Sequence, residues 1–102
     1  MENEMAVLLE NIKADYLEMK SSTSMVERFN RGLSYKVGQK YIKVISDGSV
    51  WGFIVNAEND KKFAKGDILK AASWKTPARN SARGNILDGG YDISWTGPHY
   101  LI

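Results

Sequence analysis

The sequence contains no cysteine. This absence excludes disulfide bonds, thiolate zinc sites, iron–sulfur clusters and cysteine nucleophiles together. No apolar run approaches the roughly 20 residues that a membrane-spanning helix needs. The opening residues, MENEMAVLLENIK, are acidic where a secretory signal would carry positive charge. We therefore expect a cytoplasmic protein with no membrane partner, held together by packing alone.

Residues that perform catalysis are also scarce. The single histidine, His99, follows Gly97-Pro98, and nothing in the pattern marks Ser94 or Asp92 as its partners in a hydrolytic triad. We expect His99 to be an exposed or hydrogen-bonded terminal residue. The sequence has neither a GxxxxGK[ST] nor a GxGxxG phosphate loop, and most of its aspartates stand in turn phrases that explain them without a metal ion. We predict no catalytic residue, no metal, no cofactor and no enzymatic activity.

The chain is long enough for one small hydrophobic core. It has 102 residues, of which 43% are hydrophobic, and these values argue against disorder. A chain of this size buries roughly 60–70% of the surface that its unfolded form exposes. We predict a single domain over 1–102, with a helical part over 1–32 and a β-rich part over 35–102.

Residues 3–20 have the pattern of an amphipathic helix, because apolar side chains recur at spacings of three and four. This stripe either covers the core or forms a contact with a second copy or another partner. The residues assigned to such a contact are Leu8, Leu9, Ile12 and Tyr16. Ser24 followed by Glu27 fits a capping box, so a short second helix over 25–31, stopped by Gly32, is also predicted.

From Tyr35 onward the pattern favours β-strands. YIKVIS (41–46) and SVWGFIVN (49–56) are rich in branched and aromatic residues, and the Asp47-Gly48 pair between them is typical of a tight hairpin turn. Gly52 inside the second strand indicates a bulge or a sharp bend. Further strands are predicted over 67–74 (DILKAASW), 91–95 (YDISW) and 99–102.

A short helix is predicted over 77–83. Thr76 fits an N-cap, Pro77 fits the first helical position, and Gly84 stands where a helix-ending glycine belongs. The fold class is therefore α+β: an N-terminal amphipathic helix and a small, strongly bent antiparallel sheet, or an SH3-like or OB-like barrel, with this short helix near its end.

The charge distribution is uneven along the chain. The basic block (residues 61–83) carries seven bases and one acid, a net charge of +6, whereas the remaining seven bases and eleven acids sum to −4. Arginine pairs and lysines beside aromatic rings are typical of surfaces that bind phosphates or an acidic partner. The residues predicted to bind are Lys61, Lys62, Lys65, Trp74, Lys75, Arg79, Arg83 and Trp95.

Structural explanations of the same residues stand beside the functional one. The basic block can be an ordinary solvated surface. A tryptophan in a small domain is commonly part of the core. Arg79 and Arg83 can instead pair with Asp88, Asp92 or the acidic N-terminal helix.

The phrases GDILKAASWKTPARNSARGNILDGG and ISWTGPHYL resemble small, uncharacterised accessory proteins encoded by tailed bacteriophages. The resemblance covers roughly residues 35–102. It implies a protein made in the cytoplasm of an infected bacterium that acts on host or defence machinery, and it assigns no role to any residue.

Three functions are compatible with these patterns. The first is an accessory protein that inhibits or modulates host or defence machinery by binding a protein or a nucleic acid through a basic and aromatic surface. The second is a direct binder of nucleic acid or nucleotide, either a single-strand binder or a sponge for a signalling nucleotide. The third is a structural or assembly protein, a homodimer for instance, that oligomerises through the N-terminal helix.

Overall fold

The computed structural model describes residues 1–19 and 22–98. Two helices come first, α1 (Glu2–Met19) and α2 (Thr23–Gly32). The strands that follow are β1 (Leu33–Val37), β2 (Tyr41–Ser46), β3 (Ser49–Val55), β4 (Ile68–Leu69), β5 (Gly84–Asn85), β6 (Gly90–Tyr91), β7 (Ile93–Ser94) and β8 (Gly97–Pro98). Strands β1 to β4 form one antiparallel sheet in chain order, while β5–β6 and β7–β8 form two small sheets. The predicted α+β class is confirmed.

Helix α1 covers the core with its apolar stripe. Leu8 and Ile12 are fully buried, Tyr16 is 7% exposed, and Leu9 packs partly buried against the same cluster. The predicted contact with a second copy or a partner is therefore wrong for Leu8, Ile12 and Tyr16, because the chain's own core already covers their side chains. The alternative prediction, that the stripe covers the core, describes the structure.

Helix α2 begins earlier than its predicted start. Its N-cap is Ser22, whose side chain makes no capping hydrogen bond, and Ser24 lies inside the helix. The two hydroxyls bond to each other, 3.1 Å apart. The predicted capping box of Ser24 and Glu27 is therefore wrong, whereas the predicted stop at Gly32 agrees with the helix end.

Strands β2 and β3 form the predicted hairpin. Asp47 and Gly48 both have positive φ angles, 48° and 83°, as a two-residue turn of this type requires. The register then shifts, since Val44 pairs with Gly52 but Ile45 pairs with Val50. Trp51 is the extra residue, so the bulge predicted from Gly52 is present one residue before it.

The main sheet buries residues on both of its faces. On the helix side, Ile42, Ile54 and Ile68 lie side by side across β2, β3 and β4, and they pack with α1 and α2. On the opposite side, which we call the loop side, Phe53 and Leu69 pair across β3 and β4. They form a second cluster with Val55 and Phe63, so the segment between β3 and β4 covers part of this face.

The predicted strand over 67–74 is much shorter in the structure. Only Ile68–Leu69 joins the sheet, with isolated bridges at Asp67 and Ala71 on either side. Strands β1 and β4 lie at opposite edges, and among the described residues they do not pair with each other. The sheet is therefore open in the described part of the chain.

The predicted helix over 77–83 is wrong. These residues are all described, and they run alongside β4 without helical hydrogen bonds. Ala78 N–H donates to the carbonyl of Lys70, and Arg83 N–H donates to the carbonyl of Ile68. A helix over 77–83 would have paired the Arg83 N–H with the carbonyl of Arg79, but here Ile68 accepts it, so the tertiary contact overrides the helix punctuation.

The last part of the chain is divided between two small sheets. The predicted strand over 91–95 is interrupted, because β6 pairs with β5 and β7 pairs with β8. The predicted strand over 99–102 and His99 lie outside the described residues. In the described ranges, neither helix has the length and apolar character needed to cross a membrane.

We predict that adjacent residues of α1 differ sharply in their effect on stability. Leu8→Ala removes a fully buried side chain and should lower the free energy of unfolding by about 2–5 kcal/mol. Val7→Ala is the matched control, because Val7 is 55% exposed and its truncation should change stability by less than about 0.5 kcal/mol. Urea unfolding measures both, and equal effects would contradict the packing of α1 on the sheet.

Candidate functional site

The fold divides the predicted basic block among several environments. Lys61 is exposed. Lys62 Nζ donates to the carbonyl of Arg79 at 2.6 Å, and Lys65 forms an ion pair with Glu58 at 3.6 Å. The block is therefore not one continuous binding surface.

Arg79 connects the loop side of the sheet to the segment that covers it. Its guanidinium donates two hydrogen bonds to the carboxylate of Asp60, at 2.9 and 3.0 Å, and a third to the hydroxyl of Tyr41. It also lies over the ring of Phe63, with the guanidinium carbon 4.9 Å from the ring centroid. A bidentate pair of this kind occupies the planar fork that phosphate recognition would need.

Asp60 is held by more than this arginine. Its carboxylate also accepts hydrogen bonds from the backbone N–H groups of Lys62 and Phe63 at 2.9 Å. The bonds from Arg79 first, and then these backbone bonds, hold the pKa of Asp60 well below its ordinary value of 3.8. The pKa of Arg79 is raised further by the same pair. This network closes the loop onto the sheet, so we assign Arg79 a structural role.

Arg83 is also engaged locally. It is half-buried, and one terminal nitrogen donates to the carbonyl of Ser81 at 3.1 Å. Nearby, Lys70 Nζ donates to the carbonyl of Pro98 at 2.9 Å, and burial, followed by the charge of Arg83, lowers the pKa of Lys70. Because no helix forms over 77–83, Arg79 and Arg83 do not share the helix face that was predicted for them.

Trp95 lies on the helix side of the sheet. Its ring packs edge-on against Tyr16 and Phe29, with centroids 5.0 and 6.1 Å away, and its backbone N–H donates to Asp15. A cavity of about 510 Å³ opens beside these rings. The charged residues that line it are Arg28 and Asp47, which pair with each other at 3.5 Å, so this cavity offers no excess of either charge.

The remaining predicted residues, Trp74 and Lys75, lie on the loop side in a different charge environment. Lys75 lines a groove of about 310 Å³ together with residues of the β1–β2 hairpin. We call it the cationic groove, and its charged and aromatic residues are Lys36, Lys40, Lys43, Lys75, Tyr41 and Phe53. No acidic side chain lines this groove within the described ranges.

The turn that carries Trp74 is held by its own hydrogen bonds. The N–H groups of Ala72 and Ser73 donate to the carbonyl of Thr76, at 3.0 and 3.1 Å. The hydroxyls of Ser73 and Thr76 also bond at 2.8 Å. Trp74 is nevertheless 47% exposed, and the ammonium of Lys43 lies 4.5 Å from its ring centroid. The ring and the lysine therefore form a cation–π pair beside the groove.

Two lysines of the groove lie directly opposite each other. Lys36 on β1 pairs in register with Lys43 on β2, and Lys43 in turn pairs with Phe53 on β3. Like charges directly opposite in an antiparallel pair are destabilising. The two lysines therefore add positive charge to the groove at a small cost in stability.

Lys36, Lys40 and Lys43 were not among the residues predicted to bind. A signal for them was present, since Gly38-Gln39 separates two lysine-bearing runs at the spacing of a short hairpin. Pairing 33–37 with 41–46 would have placed Lys36 opposite Lys43. The described residues contain no group of three His, Cys, Asp or Glu side chains that could hold a metal ion.

We predict that removing the Asp60 carboxylate weakens acid sensitivity. The unfolded carboxylate gains a proton near pH 3.8, while the folded one stays ionised to lower pH. The pair therefore stabilises the fold above that pH, and its contribution falls as pH drops toward the folded pKa. Asp60→Asn should lower the melting temperature at pH 7 and reduce the loss of stability between pH 5 and pH 2. Glu58→Gln is the control, since the Glu58 side chain is 83% exposed and should leave both unchanged. An unaltered acid profile in Asp60→Asn would contradict this assignment.

We also predict that Lys36→Gln stabilises the protein. It removes the repulsion between Lys36 and Lys43, so the free energy of unfolding should rise by a few tenths of a kcal/mol, within the roughly 0.2–1 kcal/mol range of cross-strand pairs. Urea unfolding at 20 mM and at 1 M NaCl measures the gain, which salt should reduce. A loss of stability at low salt would show that this lysine contributes to the fold.

Comparison with known proteins matches the chain to a family whose function is unknown. A family model described as a family of unknown function, DUF7717, matches residues 1–97, which include the helices, the main sheet and the cationic groove. No curated protein and no solved structure matches the chain. The chain therefore belongs to the family of unknown function DUF7717.

Proposed function

We propose that this protein is a non-enzymatic binding protein that takes an anionic macromolecule into the cationic groove. The observation that carries this proposal is the groove's composition: four lysines, no acid among its described lining residues, and two of the lysines directly opposite each other. A surface of this kind attracts phosphates or clustered carboxylates.

The charge of the rest of the fold supports a one-sided contact. Helix α1 carries five acids and one base, a net charge of −4, and it packs on the helix side of the sheet. The groove is on the loop side, where Lys43 faces Phe53. Opposite charges on the two sides of a small domain orient an anionic partner toward the basic side during encounter.

The biological setting we propose is modulation of host or defence machinery. Its support is the resemblance of residues 35–102 to phage accessory proteins, together with a groove suited to occupying an anionic surface rather than to performing chemistry. In this proposal the protein acts by covering its partner's anionic site.

Charge reversal within the groove tests the proposal. Lys36→Glu/Lys40→Glu changes two lysines of the groove, and Lys13→Glu/Arg31→Glu is the matched control with the same net charge change on the helices. Calorimetric titration with inorganic polyphosphate, poly-glutamate and a thymidine oligonucleotide at 50 mM NaCl measures binding. We expect the groove variant to lose at least tenfold in affinity for the anion that binds, while the control stays within about twofold.

Two results would overturn the proposal. One is the absence of binding to all three anions at low salt. The other is an equal loss in the groove variant and the helix control, because net charge rather than the groove would then explain binding. Circular dichroism of both variants confirms that each is folded before the comparison is made.

A further inference from the structure

We infer that the anionic macromolecule of the cationic groove is single-stranded nucleic acid, with Trp74 as a platform on which an unpaired base stacks. The inference rests on the proposed function and names its partner. Its basis is the combination of an exposed indole on an ordered turn with lysines that line the adjoining groove.

The position of Trp74 is the first argument. Trp74 is 47% exposed, whereas Trp51 is buried in the core with 3% exposure. The turn around Trp74 is ordered by bonds among Ala72, Ser73 and Thr76, so the ring is presented on a fixed support. A preorganised aromatic ring loses little conformational freedom when a base stacks on it.

The arrangement of charge around the ring is the second argument. Lys43 lies at 4.5 Å from the indole centroid, and the neighbouring Lys75 lines the groove. A nucleic-acid strand alternates a flat base with a phosphate at each nucleotide. Cations and an aromatic face close together match both parts, which is the combination that single-strand binding grooves use.

The preference for single-stranded over double-stranded nucleic acid is inferred from the elements that form the groove. It is formed by the β1–β2 hairpin and the end of the Trp74 turn, whereas α1 and α2 pack on the helix side of the sheet. Among the described residues, therefore, no helix is placed beside the groove to enter the major groove of a duplex, which is the common mode of base reading. The bases of a duplex are already stacked on their neighbours, whereas an unpaired base is free to stack on Trp74. An acidic protein surface would use the lysines but would give the indole no partner of this kind.

The test separates stacking from charge. Fluorescence anisotropy with 5′-labelled dT12, with an abasic 12-mer of the same backbone and with a 12-bp duplex measures affinity at 50 and 200 mM NaCl. We expect dT12 to bind about tenfold more tightly than the abasic strand, as the loss of one stacked base implies. If all four groove lysines contact phosphates, the log–log salt slope for dT12 should be about −3.

Variants of Trp74 provide the decisive comparison. Trp74→Ala should weaken dT12 binding about tenfold and leave the abasic strand unchanged, whereas Trp74→Phe should retain most of the affinity. Leu87→Ala is the control, because Leu87 is similarly exposed at 48%. Phe at this position also keeps the test valid if the alanine variant is poorly folded.

The possible failures differ from one another. If dT12 and the abasic strand bind equally and Trp74→Ala has no effect, the single-strand inference is overturned and the binding of anions at the groove stands. Tighter binding of the duplex, or of poly-glutamate, overturns the inference in the same way and identifies the other class of partner. If no anion binds at 50 mM NaCl, the proposed function fails together with the inference.

Discussion

The rest of the structure depends on one extra residue in β3. Strand alternation would place Trp51 on the same face as Phe53, but the bulge turns its indole to the helix side. There the indole is 3% exposed and donates to the carbonyl of Ser94 at 2.9 Å. The next position suits glycine, because a Cβ on residue 52 would come within 3.1 Å of both Leu69 O and Pro98 Cγ. The bulge thereby joins the last hairpin to the main sheet.

Phe53, two residues after Trp51, lies on the loop side and is the centre of the packing there. Phe53, Phe63 and Leu69 form the second cluster, and the pair between Arg79 and Asp60 holds the covering segment against it. Arg79 of the predicted basic block is thus part of the fold. The positive charge of the cationic groove comes from the β1–β2 hairpin and Lys75, while α1 provides the negative charge of the opposite side.

Local sequence chemistry predicted those elements whose hydrogen bonds close within a few residues. The Asp47-Gly48 turn, the strand over 41–46 and the bulge near Gly52 follow from backbone preferences of the residues themselves. The helix predicted over 77–83 has equally clear punctuation, yet its N–H groups pair with carbonyls of the β4 segment. Partners 8 and 15 positions earlier in the chain decided that segment, and the helix punctuation within 76–84 does not report them.

The sequence by itself determined the α+β class, the amphipathic stripe of α1, the tight hairpin and the excess of positive charge over 61–83, because composition and spacing act along the chain. Only the tertiary structure decided which cations gather in the cationic groove. Arg79 finds Asp60, 19 residues away, whereas Lys36 meets Lys43 across the hairpin and Lys75 joins them from a later turn. The charge of a side chain follows from its residue type. Whether several lysines form a cluster depends on the distances between residues remote in sequence, and packing sets those distances.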